Sequence, residues 1–133
     1  MMPIYDDYLK EKNSLTFDEM QKIHAAIVSE VGTDEGAVDL YDELVSIAVK
    51  YANIRARWAL LSKQDKMEQD ASRTACHDSV IIKCNKLARY LKTLEKKAAW
   101  RDELGDESAD PYNRKRIGDF ACYLAFINGL NAR

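Results

Sequence analysis

The chain is short of the residues that interrupt helices, with two prolines and five glycines in 133 positions. In a helix interior Gly costs about 1 kcal/mol and Pro about 3 kcal/mol relative to Ala. Their scarcity, beside 47% apolar and 32% charged residues, predicts long helices with few loops. No apolar run approaches the roughly 18 residues of a membrane span, so no membrane partner is expected. The start, MMPIYDDYLKEKN, is polar and acidic and lacks a leader pattern. The expected address is the cytoplasm. Formal net charge is -2, and the basic runs at Lys92–Lys97 and Arg114–Arg116 are flanked by acids. Sequence-independent nucleic-acid binding needs a basic footprint that is missing. Cys76, Cys84 and Cys122 show no CxxC spacing and cannot all pair, so they read as small buried apolar groups in a reducing compartment. There is neither a Gly-rich phosphate loop nor a serine nucleophile elbow, and no cofactor is implied.

What is present is amphipathic helix. A chain of this length is one ordinary domain, long enough to bury about two-thirds of its unfolded surface, so residues 1–133 are expected to form a single helical domain. Thr16 with Glu19 three residues on is a capping box. Phe17, Met20, Ile23, Ile27, Val28 and Val31 follow on one face, and Gly32 ends the helix. Residues 4–12 read as a short helical turn. A second helix runs from an Asp34 cap to about Ser62, with Ala37, Leu40, Tyr41, Leu44, Ile47, Ala48, Tyr51, Trp58 and Ala59 as its stripe. The polar stretch SKQDKMEQDAS, 62–72, reads as turn or continuing helix. A third helix covers roughly 71–98 with Val80, Cys84, Leu87, Leu91, Leu94 and Ala98 on one face. RDELGDESAD, 101–110, is the clearest loop. Asp110-Pro111 then starts a fourth helix. The expectation is an all-α fold, an antiparallel four-helix bundle with long second and third helices and an apolar C-terminal helix. Residues 120–127, FACYLAFI, are apolar on every side, which suits a central helix or one shared with a partner. That pattern predicts a homodimer through Cys122 and Phe126, on the side opposite Leu124.

Several polar residues fall on the apolar faces. At about 100° per residue, Arg73 and His77 of RTACHDSVIIKCNKLARYL (73–91) share an arc with Val80, Cys84, Leu87 and Leu91. Asp70 joins the edge and Asn85 the flank. Arg55 lies between Tyr51 and Trp58, His24 is near the centre of its stripe, and Asn128 and Asn131 continue the face of Ile117, Phe120 and Leu124. A buried charge costs several kcal/mol unless paired. The groups Arg73, His77, Arg55, His24, Asn128 and Asn131 are therefore either satisfied core and boundary residues that set helix register, or the lining of a pocket for a polar or anionic ligand. In the second case His77 could carry acid–base chemistry.

Tests of specific chemistries return little. A di-metal bundle needs Glu three residues before each histidine, but Gln21 and Thr74 stand there. Cys76 and His77 are adjacent and make a poor zinc pair. Asp39-x-x-Asp42 and Asp65-x-x-Glu68 imitate the acidic pairs of nucleotide pyrophosphohydrolases only weakly and read as solvated faces. No helix-turn-helix with a basic recognition helix is apparent. His77-Asp78 resembles the signature of HD-domain phosphohydrolases, which implies metal ligands from His24 and from Asp119 or Asp110. Arg73-x-x-x-His77 is similar to the Arg…His motif of HEPN-type ribonucleases, with a shorter gap. RTACHDSVIIKCNKLARYL, WRDELGD and RKRIGDFACYLAFINGLNAR together resemble a family of small bacterial proteins without an assigned function, over residues 73–133. That resemblance implies a cytosolic helical domain and transfers no catalytic residue. The expected function is a non-catalytic binding, regulatory or assembly module that self-associates, its partners a second copy, another protein or a small polar ligand. The competing expectation is a small metal-assisted phosphohydrolase or ribonuclease using His77 with Arg73.

Overall fold

The computed structural model describes residues 15–105 and 111–131, with side chains for 15–105 and 116–129. These residues form five helices and no strand. Helix α1 (Phe17–Val31) begins at the expected capping box: the Glu19 amide donates to Thr16 Oγ1 at 3.1 Å, and the Thr16 amide donates to Glu19 Oε1 at 2.9 Å. The turn expected at 4–12 lies outside the described residues. Helix α2 (Glu35–Trp58) is capped by Asp34, whose carboxylate accepts from the Ala37 amide at 2.9 Å and from the Tyr90 hydroxyl at 2.7 Å. Tyr90 therefore lies across the first turn of α2. A Cβ at Gly36 would overlap its phenol, so a larger residue there would push Tyr90 aside.

Helix α3 (Lys63–Thr93) starts earlier and stops sooner than the sequence suggests. Ser62 is the reason at the start: its Oγ accepts from the Asp65 amide at 3.1 Å, which makes the polar 62–72 stretch helical and ends α2 at Trp58 instead of Ser62. At the other end, Glu95 and Ala98 adopt φ of 65° and 49°. Leu94 and Ala98 thus turn out of the helix whose stripe they were expected to extend. Helix α4 (Trp100–Glu103) occupies part of the expected loop, because Trp100 and Leu104 are both buried and draw the segment onto the core. Helix α5 (Pro111–Asn131) starts at the proline, as expected.

Helices α2 and α3 run antiparallel, their neighbours descending in register from Asp34–Tyr90 through Glu43–Lys83 and Tyr51–His77 to Trp58–Arg73. Helix α5 returns along α2, with Asn128 against Tyr41 and Asp119 against Arg55. The core gathers Ile23 and Ile27, Leu44, Cys84 and Leu87, and Phe120 and Leu124 from the four longer helices. Each large side chain so buried contributes roughly 1.5–3 kcal/mol. The stripe of α1 is narrower than its spacing predicts: Ile23, Ile27 and Val31 are buried, but Phe17 and Val28 are exposed.

The α3–α5 connection is latched by polar groups. Glu30 of α1 accepts from the Trp100 indole at 2.8 Å and from the Ala98 amide at 3.1 Å. Arg101 is buried, donating from Nε to Asn85 Oδ1 and from Nη1 to the Gly105 carbonyl, both at 2.6 Å. Asn85 is thus a core residue and not the flank residue expected. Two left-handed residues cost about 1 kcal/mol or more each, which the Glu30 bonds and the burial of Trp100 offset. Replacing Glu30 with Ala leaves the buried indole N–H without an acceptor. The expected loss is about 2 kcal/mol, or roughly 6–10 °C in Tm, measured by thermal unfolding, whereas an exposed control such as Glu68→Ala stays near wild type.

Candidate functional site

Of the six polar residues expected on core faces, four separate into two groups, Arg55 with His77 and His24 with Asn128. The first surrounds Gly118 of α5. His77 is buried on α3, its ring edge-on to Tyr51 of α2 with centroids 5.2 Å apart and planes at 75°. A Cβ at Gly118 would stand 3.0 Å from Tyr51 Oη, 3.3 Å from Arg55 Nη1 and 3.4 Å from His77 Nε2. Three polar side chains from two helices therefore converge on one glycine of a third. Arg55 donates from Nη2 to Asp119 Oδ1 at 2.9 Å and from Nη1 to Cys122 Sγ at 3.8 Å. Burial works against the charge on Arg55, but the Cys122 sulfur and the Asp119 carboxylate outweigh it, and its pKa stands above the ordinary value. Burial pushes the Tyr51 phenol up, opposed by the Arg55 and Arg73 cations, so the phenol stays protonated at neutral pH.

Arg73 does not enter the core, contrary to its place on the helical stripe. Its guanidinium carbon sits 4.3 Å above the Trp58 ring, and Nη2 donates to Asp70 Oδ1 at 3.0 Å. The reason is the early start of α3. Arg73 lies where α3 passes the last turn of α2, and there the apolar face meets the half-buried indole of Trp58 at the edge of the fold. A cation over a partly exposed indole is worth about 0.5–1 kcal/mol and needs no buried counter-charge.

The second group joins His24, Tyr41 and Asn128. His24 Nε2 and Tyr41 Oη are 2.9 Å apart. Asn128 Nδ2 donates to Tyr41 Oη at 3.4 Å and to the Leu124 carbonyl at 2.9 Å. The phenol thus accepts from Asn128 and shares a hydrogen bond with the His24 ring. Burial lowers the His24 pKa below its ordinary value and raises that of Tyr41. Tyr41 and Tyr51 are ten residues apart on α2, about 15 Å along its axis, so the two histidines do not share a site. The side chain of Asn131 lies outside the described residues.

This division corrects the metal set implied by the HD-type dipeptide. His24 is held by Tyr41, away from His77, Asp119 is paired with Arg55, and Asp110 lies outside the described residues. Among the described residues, no group of three His, Cys, Asp or Glu side chains could hold a metal ion. Cys76, Cys84 and Cys122 are all free thiols. Complete burial pushes the Cys84 thiol up to about 12, against the pull of Arg101, as the reading of a small buried apolar group requires.

No protein-family model, curated protein or solved structure matches this chain.

The expected dimer residues sit together. Cys122 and Phe126 line an open groove of about 900 Å³ with Phe17, Met20 and Tyr123. Phe126 is 59% exposed and Phe17 57%, while Leu124 on the opposite side is fully buried. Sequence reasoning did not find Tyr51 or Gly118 as members of the His77 group, and it named Asp119 only as a metal ligand implied by the HD-type resemblance. One signal was available: Tyr51 precedes Arg55 by one helical turn, so any polar partner of the one is beside the other.

Two outcomes follow from this geometry. Gly118→Ala forces the Tyr51 hydroxyl aside and should cost about 1–3 kcal/mol by overpacking, read by urea denaturation. His24 has a lowered pKa in the folded chain, so the unfolded chain binds its proton first. Its stabilising contribution is complete above the ordinary histidine value of 6.5 and declines as pH falls below that value toward the folded pKa. In His24→Gln, the melting temperature should therefore fall less than in wild type between pH 7 and pH 5.

Proposed function

We propose that this chain is a non-catalytic assembly or binding module of the bacterial cytoplasm, which self-associates through the face carrying Phe17, Cys122 and Phe126. The observation that supports this reading is the pair of exposed phenylalanines lining one mostly apolar groove, which also holds the Arg55–Asp119 pair. Adjoining exposed aromatic surface is characteristic of an interaction site, and a two-fold pairing would bring the same patch of each copy together. The reading takes α1, α2, α3 and α5 as an antiparallel four-helix bundle in one domain, with α4 covering the end of the core near Glu30. The polar groups at His77 and His24 then act as register-setting contacts between helices. A second copy is the first partner, and another protein or a small polar ligand the next. The described helices include none long and apolar enough to cross a membrane.

A second reading is supported by the convergence on Gly118. In that reading His77, Arg55 and Arg73 form the polar end of a phosphoester-cleaving site, acting on RNA or on a smaller ester. A His77→Ala variant that keeps the wild-type fold separates the two. Under the assembly reading, hydrolysis of a chromogenic phosphodiester or of RNA is at background for both proteins, with and without divalent cations.

The assembly reading predicts a dimer by sedimentation velocity at micromolar concentration. Phe126→Glu places a charge at the centre of the apolar face and should sediment as a monomer, with its helix content unchanged by circular dichroism. A monomeric wild type under these conditions refutes the proposal.

A further inference from the structure

Away from both polar groups, the outer side of the α2–α3 pair carries a cleft of about 440 Å³. Lys50, Asn53, Ile54 and Arg57 supply one wall, and Gln69 and Ser72 the other. The α2 residues recur at three- and four-residue spacing, so they form one ridge. Gln69 and Ser72 face it from α3 because the two helices run antiparallel in the register set by Tyr51–His77 and Trp58–Arg73.

The lining is chemically one-sided. It holds two cations, three neutral side chains able to donate hydrogen bonds, an apolar floor at Ile54 and no carboxylate. On a chain with 22 acidic and 20 basic residues, a carboxylate-free basic cleft is not the average surface. Neither cation is engaged in an ion pair among the described residues. Arg57 donates from Nε to the Asn53 carbonyl at 3.3 Å, which folds its side chain back along α2. The acids of this side, Asp39, Asp42 and Glu43, line the next groove along α2, which shares Lys50 with the cleft and where Glu43 is already paired with Lys83 at 2.6 Å.

We propose that this cleft binds a small anion bearing more than one phosphoryl group. Arg and Lys flank it two helical turns apart, about 10 Å along the axis. That span suits a diphosphate or the phosphate end of a nucleotide better than a single phosphate. Guanidinium and ammonium supply charge-assisted bonds, while Asn53, Gln69 and Ser72 supply neutral donors to the remaining oxygens. The cleft shares Asn53 with the groove at Phe126, but Lys50 and Arg57 line only the cleft of the two, so variants at these cations and at Phe126 test the two readings separately.

Isothermal titration of the full chain with inorganic pyrophosphate, and separately with ADP, tests the assignment. Saturable single-site binding is expected. Lys50→Ala with Arg57→Ala should weaken it at least about tenfold, because both charged donors are lost. Both residues are exposed, so the variant should keep its fold, checked by circular dichroism. Lys92→Ala with Lys96→Ala removes the same charge elsewhere and should leave affinity within about twofold. Tighter binding of ADP assigns a nucleotide, and equal or tighter binding of pyrophosphate assigns the free polyphosphate. No saturable binding of either probe, or equal weakening in both double variants, overturns the site.

Discussion

The close approach of α5 to α2 and α3 at Gly118 is the constraint on which the rest of this structure depends. A Cβ there would press on the Tyr51 hydroxyl at 3.0 Å and the Arg55 guanidinium at 3.3 Å and would touch His77 at 3.4 Å. Because nothing projects from that position, α5 settles into the angle between the two long helices. Phe120 and Leu124 then reach the core, while Arg55 meets Asp119. The same seating fixes the rotation of α5. Once Gly118, Ala121 and Leu124 point inward, Cys122 and Phe126 must point toward the groove beside α1. The polar cluster and the apolar face are two consequences of one helix orientation.

The fold closes at its other end by a different device. There the chain leaves α3 through two left-handed residues, and polar side chains hold the turn. Glu30 reaches from α1 to the Ala98 amide and the Trp100 indole, while Arg101 ties Asn85 to the Gly105 carbonyl. Helix α4 is only four residues long and has no propensity argument of its own. It is helical because Trp100 and Leu104 are buried and their backbone must be satisfied locally. Arg116 of α5 adds a tie by donating to the Glu103 carbonyl.

The charges facing inward are resolved in three different ways. Arg55 keeps its charge through a carboxylate at its side, and burial disfavours the charge of His24, whose ring is hydrogen-bonded to the Tyr41 phenol. Arg73 avoids the question by lying on an indole at the edge. None of these solutions follows from helical periodicity, which assigns a direction to each side chain but not the neighbour it meets. That is why Arg55, Arg73, His24, His77 and Asn128, on apparently equivalent core faces, do not make one pocket.

The sequence by itself determined that the chain is helical, where α1, α2 and α5 begin, and which apolar residues are buried at the centres of the helices. These are local matters. Thr16 with Glu19, Asp34 and Pro111 act on the backbone within one turn, and the 3.6-residue period sorts apolar from polar faces. The tertiary structure alone decided the extent of α3, the helical turn at Trp100, the burial of Arg101 and Asn85, and the separation of His24 from His77. Each of these depends on contacts between residues distant in the chain: Glu30 with Trp100, Asn85 with Arg101, Tyr41 with Asn128. A one-dimensional pattern carries no distance across the bundle. The energies that settle such positions are pairings whose partners become neighbours only when the helices pack.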